Sequence, residues 1–236
     1  MSGHSKWATI KRAKASTDAK RGAIFTKLAK LITVAAKEKG GNLDTNFNLR
    51  MVVEKARAAN MPKDNIEKAI KRGTGELEGG QIEELYYEGI GPANSQFIVK
   101  VLTDNKNRSA AEIRHLFSKH GGSLGSVMWN FDKKGVVRSS NLKSQIDNLE
   151  LELIEAGAED IETEEEGISI ISAINDLQNI NKFLEKHDIK TESADIEYVP
   201  KDKNEVSEEN REKVEKFIEA LEENEDIADY YTNIIL

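Results

Sequence analysis

Cysteine is absent from the 236-residue sequence, which excludes disulfides, thiolate metal sites and cysteine nucleophiles. A chain without cysteine suits a reducing compartment such as the cytoplasm. The sequence also lacks any run of about 18 apolar residues, and its basic N-terminus has no apolar segment like that of a signal peptide. We therefore expect a cytoplasmic protein that is neither exported nor embedded in a membrane.

Histidine is scarce, and the familiar catalytic motifs are missing. The four histidines are His4, His115, His120 and His187. On a helix, His115 and His120 would lie on different faces, whereas helical metal chelation uses the i, i+4 spacing. Phosphate-binding loops, dinucleotide fingerprints and nucleophile elbows do not occur. The sequence therefore predicts a protein that is not an enzyme and needs neither a metal nor a cofactor.

Charge is distributed unevenly along the chain. Residues 1–75 hold 17 Lys and Arg against 6 Asp and Glu, whereas residues 76–236 hold 17 against 36. The first segment is thus +11 and the remainder −19, which together give the net charge of −8. Cations clustered at one end of an acidic chain are typical of nucleic-acid binding. Solvated charged surfaces on both segments are the alternative interpretation.

Three amphipathic helices are predicted for residues 1–75. The first begins at a Ser16-Thr17 cap and ends at Gly40, with apolar side chains at the spacing of one helix face. The second ends before Pro62, because proline disfavours helical geometry in the preceding residue. The third begins at this proline and ends at Gly73. These patterns predict a small, basic helical domain.

The remainder of the chain has the pattern of two α+β domains. Residues 134–202 predict the order β-α-β-β-α-β, which is the ferredoxin-like pattern. Residues 78–133 predict a hairpin, a helix with Ser109 in its capping box, and a strand over 127–131. Because a last, lone strand in residues 203–236 needs a sheet to join, we expect 78–133 and 203–236 to form one discontinuous domain. Residues 134–202 are then inserted into it. The predicted fold class is multidomain α+β, with an N-terminal helical bundle followed by two ferredoxin-like α+β domains, one inserted in the other.

The candidate nucleic-acid contacts lie in the basic N-terminal segment. They are His4, Lys6, Trp7, Lys11, Arg12, Lys14, Lys20, Arg21, Lys27 and Lys30. Cations neutralise phosphates with release of counterions, and an indole stacks on an exposed base. For Trp7, attachment of the N-terminal arm to the helical bundle is the alternative. A recognition helix with base-reading side chains is not evident, so the pattern does not favour strong sequence specificity.

Several motifs together resemble the YebC/PmpR family over essentially the whole chain. The motifs are Gly3-His4-Ser5-Lys6-Trp7, Asp18-Ala19-Lys20-Arg21-Gly22, Asn60-Met61-Pro62-Lys63-Asp64, Tyr87-Glu88-Gly89, Asp104-Asn105-Lys106-Asn107-Arg108 and Phe117-Ser118-Lys119. The resemblance implies three domains and a DNA-binding transcriptional regulator. It also implies kinship with ribosome-associated translation factors, including the mitochondrial translational activator of cytochrome c oxidase. Two departures are Gly91-Pro92-Ala93-Asn94 in place of the usual Gly-Pro-Gly-Gly, and a shorter stretch at 124–127.

These observations predict a non-enzymatic regulator of gene expression that binds nucleic acid. A DNA-binding transcriptional regulator is the first hypothesis, and a ribosome-associated factor that binds ribosomal RNA or tRNA is the second. A protein partner for the acidic domains is compatible with both. Gly79-Gly80-Gln81 has the composition that peptide-release factors use at the ribosome, but its place in a linker favours a flexible hinge.

Overall fold

The computed structural model describes residues 18–78, 81–140, 146–164 and 167–235. Within these ranges the chain forms seven α-helices, two four-stranded sheets and a two-stranded one. The helices are α1 Asp18–Lys39, α2 Phe47–Ala58, α3 Lys63–Thr74, α4 Lys106–Lys119, α5 Ile146–Glu155, α6 Leu177–Lys186 and α7 Glu208–Glu223. The strands are β1 Glu83–Ile90, β2 Gln96–Thr103, β3 Ser123–Leu124, β4 Phe131–Ser139, β5 Ala158–Thr163, β6 Ile168–Ser172, β7 Ser193–Pro200, β8 Asn204–Glu205, β9 Ile227–Thr232 and β10 Ile234–Ile235. The predicted α+β fold class is confirmed.

Helices α1, α2 and α3 pack into a bundle around an apolar core. Ile32, Leu49 and Val53 are at most 1% exposed, and burial of each such side chain contributes roughly 1.5–3 kcal/mol. The side chain of Asn46 holds the turn between α1 and α2, because its Nδ2 donates to the carbonyl oxygens of Ala35 and Gly40 at 2.8 Å each. Core packing, rather than helix propensity, therefore determines how these helices are arranged.

Gly73 does not end α3, contrary to the sequence-based expectation. The helix continues to Thr74, and Gly75 ends it with a φ of +81° in the left-handed region. A Cβ at Gly73 would lie 2.6 Å from the Cβ of Ala36 and closer still to the carbonyl oxygen of Thr33. The missing side chain thus allows α1 and α3 to touch. Glycine is needed here because of a contact between two helices, which a local sequence pattern does not reveal.

The first sheet has the strand order β3-β1-β2-β9 with antiparallel pairing throughout. Helices α4 and α7 cover one face of it, where Phe97 and Phe117 each lie 5.0 Å from Phe217 between ring centroids. The spatial order is that of a ferredoxin-like sheet, but the chain enters at β1, an inner strand, and completes the sheet only with β9. The lone C-terminal strand therefore pairs with β2.

The second sheet lies between α4 and α7 in the sequence. Its order is β5-β6-β4-β7, again antiparallel, with α5 and α6 packed against it. This arrangement matches the predicted β-α-β-β-α-β pattern strand for strand. The division into units 1–75, 78–133 with 203–236, and 134–202 stays a prediction, since strand pairing alone does not fix the boundaries.

Two local predictions for the discontinuous segment are wrong. Ser109 is not the N-cap of α4; Asn105 is, and its Oδ1 accepts from the amide of Arg108 at 3.1 Å. Residues 128–130 form a 3₁₀ turn rather than part of a strand, and the strand begins at Phe131. At the first departure from the family pattern, Ala93 and Asn94 adopt φ values of +57° and +56°. The backbone thus keeps a left-handed conformation that glycine adopts more readily.

Aromatic rings join the two four-stranded sheets to each other. Tyr198 lies between Tyr86 and Tyr231, at centroid distances of 5.5 and 5.4 Å. Within the second sheet Arg138 and Glu197 form a buried bidentate pair at 2.6 and 2.9 Å. Among the described residues, no helix is long and apolar enough to cross a membrane.

Candidate nucleic-acid interface

The ten predicted contact residues fall into three groups in the structure. Residues 1–17 lie outside the described ranges, and with them His4, Lys6, Trp7, Lys11, Arg12 and Lys14. Lys20 and Arg21 lie at the beginning of α1, but the positions of their side chains are outside the description. Lys27 and Lys30 are fully described, and both face another part of the same chain.

Lys27 and Lys30 are bound to the end of α7 and the turn that follows it, a segment here called the acidic turn (residues 222–226). The Nζ of Lys27 donates to the carbonyl oxygen of Glu222. The Nζ of Lys30 lies 2.5 Å from Asp226 Oδ1 and 3.2 Å from the carbonyl oxygen of Glu225. Burial lowers the pKa of Lys27 to about 8, against the opposing attraction of Glu222 and Asp229. These two ammonium groups hold α1 against the first sheet instead of facing solvent.

Asp226 is the centre of this contact. Besides Lys30, its carboxylate accepts from Ser109 Oγ at 2.7 Å, from Arg108 Nη2 at 3.0 Å and from Thr103 Oγ1 at 3.3 Å. Burial by itself would raise the pKa of Asp226, but the hydrogen bonds from Lys30, Ser109 and Arg108 outweigh it and lower the pKa to about 2. Sequence reasoning missed this residue, because its partners are separated from it by more than 100 positions.

Other cations of the bundle are exposed and have no ion pair with any described residue. They include Lys37, Lys68, Lys71 and Arg72, near the C-terminal ends of α1 and α3. In the remainder of the described chain some exposed cations have acidic neighbours: Lys106 lies 2.6 Å from Glu83, for example. Free positive charge on the described bundle therefore includes cations on α3 and on the last turn of α1.

A cleft of about 540 Å³ lies where α1 and α2 meet both sheets, but its charge is balanced. Its lining includes four Lys against four Asp or Glu. Lys55 pairs with Asp195 at 2.6 Å, and Lys100 pairs with Glu84 at 2.8 Å. Burial raises the pKa of Tyr86, so its hydroxyl stays protonated. The cleft therefore has no surplus cation for a phosphate.

The histidines and other titratable groups do not assemble a reactive site in the described ranges. No group of three or more His, Asp or Glu side chains there is placed to hold a metal ion. His120 follows α4 and packs 5.5 Å from the ring of Phe217. Burial, then the neighbouring Lys119, lowers the pKa of His120. Gly79 and Gly80 lie outside the described residues, and Gln81 is exposed.

Comparison with known proteins gives consistent matches over the full chain. The family model described as the TACO1/YebC protein N-terminal domain matches residues 5–76, and the TACO1/YebC second and third domain matches residues 82–234. The sequence is 49% identical to a probable transcriptional regulatory protein of Thermoanaerobacter pseudethanolicus, over 99% of this chain and 97% of that protein. A probable transcriptional regulatory protein of Thermotoga maritima is also 49% identical, over 99% and 93%. The crystal structure of a conserved hypothetical protein from Aquifex aeolicus superposes with a TM-score of 0.84 at 40% identity, covering 94% of this chain and 93% of that one.

Proposed function

This chain belongs to the TACO1/YebC family, as its motifs predicted, and on that premise we propose that it is a non-enzymatic, nucleic-acid-binding regulator of gene expression. The names of its relatives, probable transcriptional regulatory proteins, support a regulatory role. Within that role we propose binding to DNA, with the basic N-terminal domain as the contact surface.

The separation of charge is the observation that supports this proposal most directly. Residues 1–75 are +11 and the remainder is −19, so a polyanion is attracted to one end of the molecule and repelled by the other. The free cations on α3 and at the end of α1 add to those of the N-terminal arm. Neutralising phosphates releases condensed counterions, and this release makes the affinity depend on salt.

The nature of the nucleic acid can be tested in cells. Crosslinking of the full chain, followed by sequencing of the bound DNA and the bound RNA, separates the two hypotheses. Enrichment of duplex DNA upstream of genes is the expected result. Enrichment of ribosomal RNA or tRNA, with no enriched DNA, would overturn DNA binding in favour of the ribosome-associated alternative.

The contact surface can be tested on the purified chain by measuring the affinity for a labelled duplex as a function of salt. The test variant replaces five cations with Gln: Lys6, Lys11, Arg12, Lys20 and Arg21. We expect the slope of log K against log salt to fall by up to about 4 to 5, because each phosphate contact adds about 0.9. The matched control replaces five exposed cations of the acidic remainder with Gln: Arg114, Lys119, Lys182, Lys186 and Lys213.

The control variant is expected to bind as tightly as the wild type, or more weakly only by a small electrostatic effect common to any lost cation. An unchanged slope for the five-site variant would contradict the proposed contact surface. Equal losses in both variants would show that net charge, and not a located surface, sets the affinity.

A further inference from the structure

Strand β1 has a free edge over most of its length. Strand β3 pairs with only its last two residues, and the amide of Gly125 donates to the carbonyl oxygen of Glu88 at 3.0 Å. Because backbone groups alternate in direction along a strand, Glu84 and Tyr86 turn their N–H and C=O groups to the same side as Glu88. No described backbone group binds these two residues on that side.

The other outer strands of the four-stranded sheets are protected against pairing. Strand β3 is only two residues long. Strand β5 has exposed acidic side chains at Glu159 and Asp160 and a break in its register, and charges and irregularities of this kind discourage edge pairing. Strands β7 and β9 lie beside each other, with Tyr198 packed on Tyr231. Among the described strands, β1 therefore has the longest unguarded edge.

The acidic side chains of β1 do not guard its edge, because each of them is already engaged. Glu83 lies 2.6 Å from Lys106, and Glu84 lies 2.8 Å from Lys100. The carboxylate of Glu88 accepts from two backbone amides of the turn before β4, at 2.8 and 2.7 Å. A strand that approaches β1 therefore meets neutralised charges and half-buried apolar side chains.

A second copy of the same edge fits it in one antiparallel register. With Leu85 opposite its own symmetry mate, Glu84 lies opposite the partner's Tyr86, and these two residues exchange backbone hydrogen bonds. Glu83 then lies opposite the partner's Tyr87, so no glutamate faces another. A shift by one residue would turn the hydrogen-bonding groups of one strand away from the other. A shift by two residues in either direction would place Glu84 opposite a glutamate, where like charges repel.

We propose that two copies of this chain associate by antiparallel pairing of their β1 strands about Leu85. Pairing over residues 83–87 joins the first sheets of the two copies, and the two-fold axis makes the contact the same for both. A contact of this size falls below the about 1,200 Å² of total buried area that is typical of stable complexes. We therefore expect reversible dimers that form at high protein concentration, whether or not the chain binds DNA.

A single introduced cysteine tests the register, since the sequence contains none. Antiparallel residue pairs that exchange no hydrogen bonds have Cα atoms about 4.5 Å apart, a distance that a disulfide can bridge. Mild oxidation of folded Leu85→Cys should therefore give a disulfide-linked dimer, visible by electrophoresis without reductant. Asp160→Cys, at an exposed position on β5, is the matched control and should stay largely monomeric.

Sedimentation equilibrium of the full chain measures the association itself. Leu85→Lys should raise the dimer dissociation constant about tenfold, because two ammonium groups then face each other across the axis. Leu85→Glu should have the same effect, and an equimolar mixture of the two variants should regain dimers. Glu84→Pro removes an amide that points away from β2 and should also weaken the dimer about tenfold. Glu84→Ala loses the same ion pair but keeps the amide, and should associate like the wild type.

A wild type that stays monomeric at millimolar concentration would overturn the inference and leave the edge to a strand of a different protein. Equal disulfide formation at positions 85 and 160 would overturn the register, since random collision would then explain both. If the mixture of Leu85→Lys and Leu85→Glu stayed monomeric, Leu85 would not lie at the axis. Thermal unfolding of every variant checks that the fold is retained.

Discussion

Replacing Asp226 with Asn tests how firmly the acidic turn attaches α1 to the first sheet. Asp226 is 6% exposed, and its pKa is lowered from 3.8 to about 2. A folded-state pKa below the unfolded value means that the ionised carboxylate stabilises the fold. That stabilisation is fully present above about pH 5 and is lost as the pH falls from about 4 to 2. At 1.36 kcal/mol per pKa unit, it is worth about 2 kcal/mol at pH 7.

The assay is urea unfolding of the wild type and of Asp226→Asn between pH 7 and pH 2. At pH 7 we expect the variant to be about 2 kcal/mol less stable, because an amide keeps the size of the side chain but not its charge. As the pH falls below 4, the wild-type carboxylate becomes protonated. The difference in unfolding free energy between the two proteins should then shrink towards zero.

Asp132→Asn is the matched control. Its carboxylate lies 3.1 Å from Lys201, but both side chains are at least 50% exposed, and exposed pairs contribute at most about 1 kcal/mol. We expect a small change with little dependence on pH. A constant difference between wild type and Asp226→Asn from pH 7 to pH 2 would refute the reasoning, since it would show that the loss does not come from ionisation.

Three further predictions test the packing and the buried charges by chemical or thermal unfolding. Gly73→Ala should destabilise the protein by about 1–2 kcal/mol, because the added methyl group crowds α1. Gly22→Ala, with nothing within 4 Å of its Cβ, should stabilise it by up to about 1 kcal/mol. Changes in unfolding free energy of the same sign for both variants would contradict this prediction. Glu197→Gln should cost about 3 kcal/mol, because it leaves the buried Arg138 guanidinium without its counter-charge; a loss below about 1 kcal/mol would show that the pair is solvated. The pKa of Lys27 is lowered to about 8, so its buried ammonium group loses its proton in the folded protein before it does in the unfolded chain. The wild type should therefore gain stability relative to Lys27→Met as the pH rises from about 8 to 10. An unchanged difference in unfolding free energy over that range would argue against the burial of Lys27.

Much of the fold could be predicted from local patterns. Apolar spacing predicted the three helices of the bundle, and the β-α-β-β-α-β order predicted the second sheet, because both signals repeat within a few residues. The end of α3 was misplaced because Gly73 is required by contact with Thr33 and Ala36 of another helix. The start of α4 was misplaced because Asn105 and Ser109 both fit a cap, and only the buried bond from Ser109 to Asp226 decides between them.

The candidate interface was less predictable, because a lysine in a sequence does not reveal what neutralises it. Lys27 and Lys30 looked like free cations on one side of α1, yet their partners lie about two hundred positions away in the acidic turn. Lys68, Lys71 and Arg72 were not among the predicted contacts, although their spacing at i, i+3 and i+4 on α3 could have suggested them. Local charge density identified the domain but not the side chains that remain available.

The acidic turn also affects where a polyanion can rest on α1. The ammonium groups of Lys27 and Lys30 already donate to carbonyl and carboxylate oxygens of the acidic turn. A phosphate at the middle of α1 would therefore meet oxygen atoms and the negative charge of Asp226 instead of free ammonium groups. Like charges at short range in a partly buried site repel strongly. A nucleic acid that lies along α1 is therefore repelled at the middle of the helix, and the proposed contacts with DNA fall on other parts of the basic N-terminal domain.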